Sequence, residues 1–156
     1  MQKEFEVPAK GTVPYKYFVV PTNFKEDRWV TAAEARPGAK EVVHHVIVFI
    51  SEPGTKRLKS SVSFSNLLCG TAPGEGPDLF PPGSAKLIKA GSKLVFQCHY
   101  TPNGKVLRDR SKVGFTFARK PVRRVYTRTA LNSWFRIPAG DGNHKVKSKH
   151  VFRQDS

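Results

Sequence analysis

Short apolar runs separated by proline and glycine are the feature of this sequence that most limits its fold. Apolar residues rarely recur at the spacing of an amphipathic helix, and they often alternate with polar residues over short stretches instead. The chain has 12 prolines and 12 glycines among its 156 residues, and many of them fall between these stretches. This pattern predicts an all-β protein, an antiparallel β-sandwich of jelly-roll-like type.

The predicted strands extend along the whole chain. They cover 15–20, 28–32, 41–50, 93–101, 111–118, 122–131, 134–137 and 145–152, with two short strands at 64–68 and 85–89. The two short strands lie in a long connection, 54–92, that is rich in proline and glycine. Pro102-Asn103-Gly104 predicts a tight turn, because asparagine and glycine tolerate positive φ.

The composition excludes several classes of protein. Hydrophobic residues make up 38% of the chain and aromatic residues 11%, which is too apolar for a disordered chain. No apolar run approaches the roughly 20 residues that a membrane-spanning helix needs. The N-terminal residues Met1–Phe5 have no apolar stretch of signal-peptide type.

Positive charge is concentrated in the C-terminal third. The net charge is +15, and residues 101–156 hold 14 basic and 3 acidic side chains. A basic surface of this kind makes the binding of an anionic partner, such as nucleic acid, one candidate function. The alternative is a solvated basic face that has lost an acidic partner domain.

Two adjacent histidines, His44 and His45, lie inside the most apolar predicted strand, 42–50. A buried imidazole without a partner costs roughly 1–3 kcal/mol, so something should satisfy these rings. Successive side chains of a regular strand point to opposite faces. Two adjacent ligands of one metal therefore require a twist, a bulge or the end of a strand. The alternative is one hydrogen-bonded core histidine beside one exposed histidine.

His99 lies in a second strand of buried type, 94–100. Gln97 is two residues earlier and shares its face, so it is a candidate to orient an imidazole through a hydrogen bond. Three imidazoles without a carboxylate or thiolate suit copper or zinc, and the spacing alone does not choose between these metals.

The remaining cysteines and histidines are predicted to lie outside the metal site. Cys98 should face away from His99 as a packed thiol or half of a disulfide with Cys69, and the two cysteines match no zinc motif. His144 and His150 occur in a basic segment and are predicted to be solvated.

These motifs resemble the first catalytic domain of the copper type II, ascorbate-dependent monooxygenases, which include peptidylglycine α-hydroxylating and dopamine β-monooxygenases. The similar segments are Val43–Phe49 and Gly91–Tyr100, joined by a proline-rich connection between Ala72 and Gly83. The resemblance covers roughly residues 13–120. It implies that His44, His45 and His99 bind a copper ion that stores and passes an electron, with a reductant such as ascorbate.

The resemblance also implies a division of the chain. Residues 1–12 are similar to a linker in bacterial multidomain relatives, 13–125 to the copper-binding sandwich, and 126–156 to the opening strands of a second domain. No His-x-His pair occurs and Met1 is the only methionine. We therefore expect the oxygen-activating second copper site to be missing and hydroxylation to require that second domain. The resemblance implies a periplasmic or other extracytoplasmic location.

Three functions follow from the sequence as hypotheses. The first is the copper-binding, electron-transfer domain of a monooxygenase that hydroxylates C–H bonds. The second is a basic β-sandwich that binds an anionic partner without metal chemistry. The third is a purely structural sandwich whose histidines hold no metal.

Overall fold

A computed structural model describes residues 1–151 and is all-β, as the sequence predicts. The strands are β1 (Phe5–Val7), β2 (Lys16–Pro21), β3 (Arg28–Arg36), β4 (Val43–Ser51), β5 (Leu67–Thr71), β6 (Asp78–Leu79), β7 (Ser84–Ile88), β8 (Lys93–Tyr100), β9 (Leu107–Asp109), β10 (Lys112–Phe117) and β11 (Arg123–Arg124). The helical elements among the described residues are the single turn α1 (Leu58–Ser61) and a 3₁₀ turn (Phe64–Asn66).

The strands form two main sheets of a β-sandwich. The front sheet has the order β2-β8-β4-β5, and the back sheet has the order β10-β3-β7-β11 with β6 also paired to β3. A separate two-stranded ribbon joins β1 to β9. The pairs are antiparallel except for β11, which runs parallel to β7. Strands β2 and β8 are far apart in sequence, so the front sheet depends on long-range pairing.

Alternation along β4 and β8 directs one side of the front sheet into the core. Val46 and Val48 of β4 and Phe96 and Cys98 of β8 are buried in the main hydrophobic cluster. Val30 of the back sheet joins the same cluster. Because side chains alternate, the residues between them face the other side of the sheet. His45 and His99 lie on that outer side, directly opposite each other across the strand pair.

A buried carboxyl group fixes the connection that leads into β4. Asp109 is fully buried, and its Oδ1 accepts hydrogen bonds from the backbone N–H groups of Gly38 and Ala39 at 2.8 and 3.0 Å. Its Oδ2 accepts from the Tyr100 hydroxyl at 2.8 Å and from the Ser111 hydroxyl at 2.9 Å. Asp109 therefore ties the segment before β4 to the end of β8, beside the strand positions that hold the histidines.

Gly38 is required at this junction for steric reasons. A Cβ atom added to Gly38 would lie 2.6 Å from the backbone nitrogen of Arg110. Contacts this short with backbone atoms are relieved only when one of the two segments moves. The absence of a side chain thus lets the connection approach Asp109 closely enough to donate its hydrogen bond.

Up to residue 118, most predicted strands correspond to observed ones within a few residues, namely β2, β3, β4, β7, β8 and β10. The strand predicted at 64–68 is wrong in its first half, because Phe64–Asn66 forms a 3₁₀ turn and β5 begins at Leu67. The short strands β1, β6 and β9 were not predicted.

Beyond residue 118, the predicted strands differ from the structure. Only Arg123–Arg124 forms a strand within the predicted 122–131, and no strand occurs at 134–137 or 145–151. The predictions for 134–137 and 145–151 are therefore wrong, and Phe152 lies outside the described residues. These segments alternate, but they have no neighbouring strand that would pair with their backbone groups. The proposed domain boundary at residue 126 stays a prediction.

Replacing Asp109 by alanine should destabilise the protein by about 3 kcal/mol, because it leaves several buried donors without an acceptor. Glu41→Ala, an exposed change in the same connection, should alter the free energy of unfolding by less than about 0.5 kcal/mol. Chemical denaturation measures both values. Equal stability of the two variants would contradict the structural role given to Asp109.

Candidate metal centre

A one-residue bulge places two consecutive histidines on the same side of the front sheet. Val43 pairs with Tyr100 and His45 pairs with His99, so three residues of β4 oppose two of β8 and His44 is the extra residue. Val43 and Val46 face the core, whereas His44 is exposed and His45 is half-buried on the outer side. Of the three possibilities that the adjacency of the two histidines left open, a twist, a bulge or the end of a strand, the structure has the bulge.

The three predicted ligands converge at this bulge. One potential ligand atom from each of His44, His45 and His99 lies within 4.8 Å of the other two. The Nδ1 atoms of His44 and His45 are 3.2 Å apart. Two imidazole nitrogens bound to one ion at about 2.0–2.1 Å lie roughly 2.9–4.2 Å apart, depending on the bond angle. The pair is therefore already at a separation that a shared ion permits.

The three imidazole rings cluster on the outer side of the sheet with their planes inclined by 60–69° to one another, rather than packing into the core. The centroids of His44 and His45 are each 5.0 Å from that of His99. The cluster contains three histidines and no carboxylate or thiolate among the described residues. Burial lowers the pKa of His45, and the neighbouring His99 and His44 lower it further. A lowered pKa keeps this imidazole neutral, which is the form that binds a metal.

Tyr15 is part of the site, although the sequence analysis did not identify it. It directly precedes β2, and its ring stacks on His99 at a centroid distance of 4.9 Å and lies 5.6 Å from His45. Because Lys16 pairs with Cys98 in an antiparallel register, Tyr15 lies next to His99. The sequence pattern does not specify which strand lies beside β8, so this neighbour could not be predicted from it.

Cys98 faces the core, as the alternation predicts. Cys98 and Cys69 are both buried free thiols on opposite sides of β4, paired with Val46 and Val48 respectively. Burial raises the pKa of each thiol to about 12. A thiol that remains protonated inside the core is not a metal ligand, so the donor set consists of imidazoles.

The other predicted residues lie beside the cluster or away from it. Gln97 is on the outer side of the sheet, and its Nε2 donates to the Tyr17 hydroxyl at 2.9 Å. Its role in orienting an imidazole stays a prediction. His144 lies 3.2 Å from an Asp141 carboxylate oxygen, and His150 is exposed. Neither joins the three-histidine cluster.

An apolar cleft of ≈ 590 Å³ opens beside His45. Ile47 and Gly70 pair across β4 and β5, and both line the cleft, as do Phe64 and Leu67. Asp78, also in its lining, accepts a hydrogen bond from the Gly70 N–H at 3.0 Å. The cluster can therefore be approached from solvent along an apolar surface.

Comparisons with protein-family models and with curated proteins identify no relative of this chain. The chain matches no protein-family model, and no curated protein gives a significant sequence match. Within residues 1–151, no helix is both long and apolar enough to cross a membrane. The choice of ion therefore depends on the donor set and on the arrangement of the ligands.

The chain should bind one transition-metal ion at this cluster, and His99→Ala should weaken binding by at least roughly tenfold because one of three donors is lost. His144→Ala, which removes a histidine outside the cluster, should bind like the unchanged protein. Titration with metal content measured after desalting gives both values. Unchanged stoichiometric binding by His99→Ala would contradict the assignment of this ligand.

Both cysteines should resist thiol reagents in the folded protein. A thiol with a pKa of about 12 has a thiolate fraction on the order of 10⁻⁴ at pH 8, and burial also blocks access. Labelling at pH 8 followed by mass spectrometry should find Cys69 and Cys98 unmodified before denaturation and both modified after it. Rapid labelling of the folded chain would contradict their placement in the core.

Proposed function

We propose that this protein is a copper-binding, electron-storing domain whose ligands are His44, His45 and His99. The observation that carries the proposal is the convergence of three imidazoles at a bulge on the outer side of the front sheet. All three donors are nitrogens of intermediate softness, a set that suits copper in both of its common oxidation states better than hard cations. The similarity of these strands to copper type II monooxygenases supports copper over zinc.

Copper bound here would take one electron from a reductant such as ascorbate and later pass it to an acceptor. The chain's own residues supply the conditions for this exchange. All three rings belong to the paired strands β4 and β8, so the donors are held by the sheet rather than by a loop. Tyr15 stacks against His99 and limits rotation of that ring. Ligands that move little when the ion changes charge favour rapid electron transfer.

The acceptor that we propose is the second copper domain of a monooxygenase. The segment 126–151 supports this part of the proposal, because it forms no strand and exposes large apolar side chains. Trp134 is 94% exposed, and Leu131, Phe135 and Ile137 are each more than half exposed. Exposed apolar groups of this density are typical of a surface that packs against another domain. By itself, this chain should store an electron without hydroxylating a substrate, and an extracytoplasmic location remains part of the proposal.

Redox cycling of the copper-loaded chain tests this function. The Cu(II) form should give an electron paramagnetic resonance signal that disappears when excess ascorbate is added without oxygen and returns when ferricyanide is added. Metal analysis after each step should find copper still bound. His144→Ala should behave in the same way, whereas His99→Ala should lose copper.

Two results would contradict the proposal. One is a Cu(II) signal that ascorbate does not reduce, and the other is release of copper from the unchanged protein on reduction. Binding of zinc with displacement of copper at equal concentrations would instead indicate a structural or hydrolytic metal site.

A further inference from the structure

A second candidate site lies on the opposite sheet, where β7 and β11 pair and the chain continues beyond β11. A pocket of ≈ 270 Å³ opens there, and we call it the β7–β11 pocket. Its lining includes three cationic side chains, those of Lys86, Arg124 and Arg128. None of the three histidines of the metal centre lines it. The pocket therefore has a separate chemistry from the proposed copper site.

Lys86 is a buried cation in this pocket. Its residue is only 6% exposed, and its Nζ donates hydrogen bonds to the Leu67 carbonyl oxygen and the Thr127 hydroxyl. An ammonium group has three donors, so these two acceptors leave one donor over. Among the described residues, no carboxylate lies within the 4.0 Å of an ion pair with Lys86. Buried charges are normally paired with an opposite charge, so this one lacks its usual partner.

Two guanidinium groups are held at the mouth of the same pocket. Arg124 and Arg128 lie over the ring of Tyr126 at 4.7 and 5.4 Å from its centroid. Stacking on an aromatic ring restricts a guanidinium group without using its N–H groups. Nη1 of Arg128 donates to the Thr127 carbonyl oxygen at 3.1 Å, so its other N–H groups and those of Arg124 are the ones proposed to bind an oxyanion. Glu52 also lines the pocket, but its carboxylate pairs with Lys89 at 2.8 Å. The pocket is therefore positively charged overall.

The electrostatics of Lys86 favour the binding of an anion beside it. Burial lowers the pKa of Lys86 to about 8, and the attraction of Asp78 offsets this effect only in part. The protonated amine is thus destabilised relative to an amine in water. An anion bound beside it would restore the favourable interaction that burial removes.

We propose that the β7–β11 pocket binds a phosphate group, either as the free ion or as a phosphomonoester. Planar guanidinium groups donate pairs of hydrogen bonds to phosphate oxygens, and a lysine adds a point charge. The small size of the pocket, ≈ 270 Å³, and its single buried ammonium group favour one tetrahedral oxyanion over a continuous nucleic-acid backbone. Such a site would give part of the positive charge in the C-terminal third of the chain a function, the binding of one small anion. This inference does not depend on the copper proposal.

Calorimetric titration of the full chain with inorganic phosphate tests this inference, in metal-free buffer of low ionic strength. We expect saturable binding of one phosphate per chain. Arg124→Gln should weaken it by at least tenfold, since it removes one guanidinium group without touching the core. The matched control is Arg119→Gln, which removes the same charge from an exposed arginine outside the pocket lining. That control should change the affinity by less than twofold.

Further measurements separate the alternatives. His99→Ala should bind phosphate like the unchanged protein, because this histidine lies outside the pocket. Phosphate binding is therefore expected even if the copper proposal fails. Tighter binding of phenyl phosphate than of inorganic phosphate would identify a phosphomonoester as the ligand, and equal binding would identify the free ion. Lys86→Met should abolish binding in a sample whose circular dichroism shows that it is folded.

Three outcomes would overturn the inference. The first is absence of phosphate binding at millimolar concentration in the folded, unchanged protein. The second is an equal loss of affinity in Arg124→Gln and Arg119→Gln, which would indicate nonspecific attraction to a basic surface. The third is binding of an oligonucleotide far more tightly than phosphate, with equal losses of affinity in Arg124→Gln and Arg119→Gln, which would assign the positive charge to a nucleic-acid surface.

Discussion

The extra residue at His44 in the pairing of β4 with β8 is the constraint on which the candidate metal centre depends. In a regular antiparallel pair, His44 and His45 would point to opposite faces, and one ring would enter the core among valines. The bulge lets Val43 and Val46 both face inward while the two imidazoles share the outer side. A single insertion thus keeps the hydrophobic core continuous and brings two adjacent side chains to one point.

The rest of the fold holds this irregular strand pair in place. Asp109 joins the connection before β4 to Tyr100, the residue of β8 that pairs with Val43 at the edge of the bulge. The core side of β8 is filled by Phe96 and Cys98, so the strand cannot shift by one residue without burying His99. The outer side is left to Tyr15 and an open apolar cleft. Rigid support on one side and access on the other are what the proposed redox role of these ligands requires.

Local patterns were sufficient to predict the main strands and the three histidines, because both depend on residues close together in sequence. Alternation along 93–101 placed Cys98 inward and His99 outward. The adjacency of His44 and His45 required an irregularity, either a twist, a bulge or the end of a strand. Tyr15 and Lys86 were missed because their partners come from distant strands, through the pairing of β2 with β8 and of β7 with β11. The strands expected at 134–137 and 145–151 are absent because alternation alone does not provide a partner strand.

A crystal structure of the copper-loaded protein, with anomalous scattering recorded at the copper absorption edge, tests the central claim most directly. We expect one anomalous peak per chain on the outer side of the front sheet, within bonding distance of one ring nitrogen from each of His44, His45 and His99. The bulge between Val43 and His45 should be retained in that structure. A peak bound by only one member of the adjacent pair, with the other ring directed into solvent, would contradict the claim that the bulge exists to bring both rings to one ion.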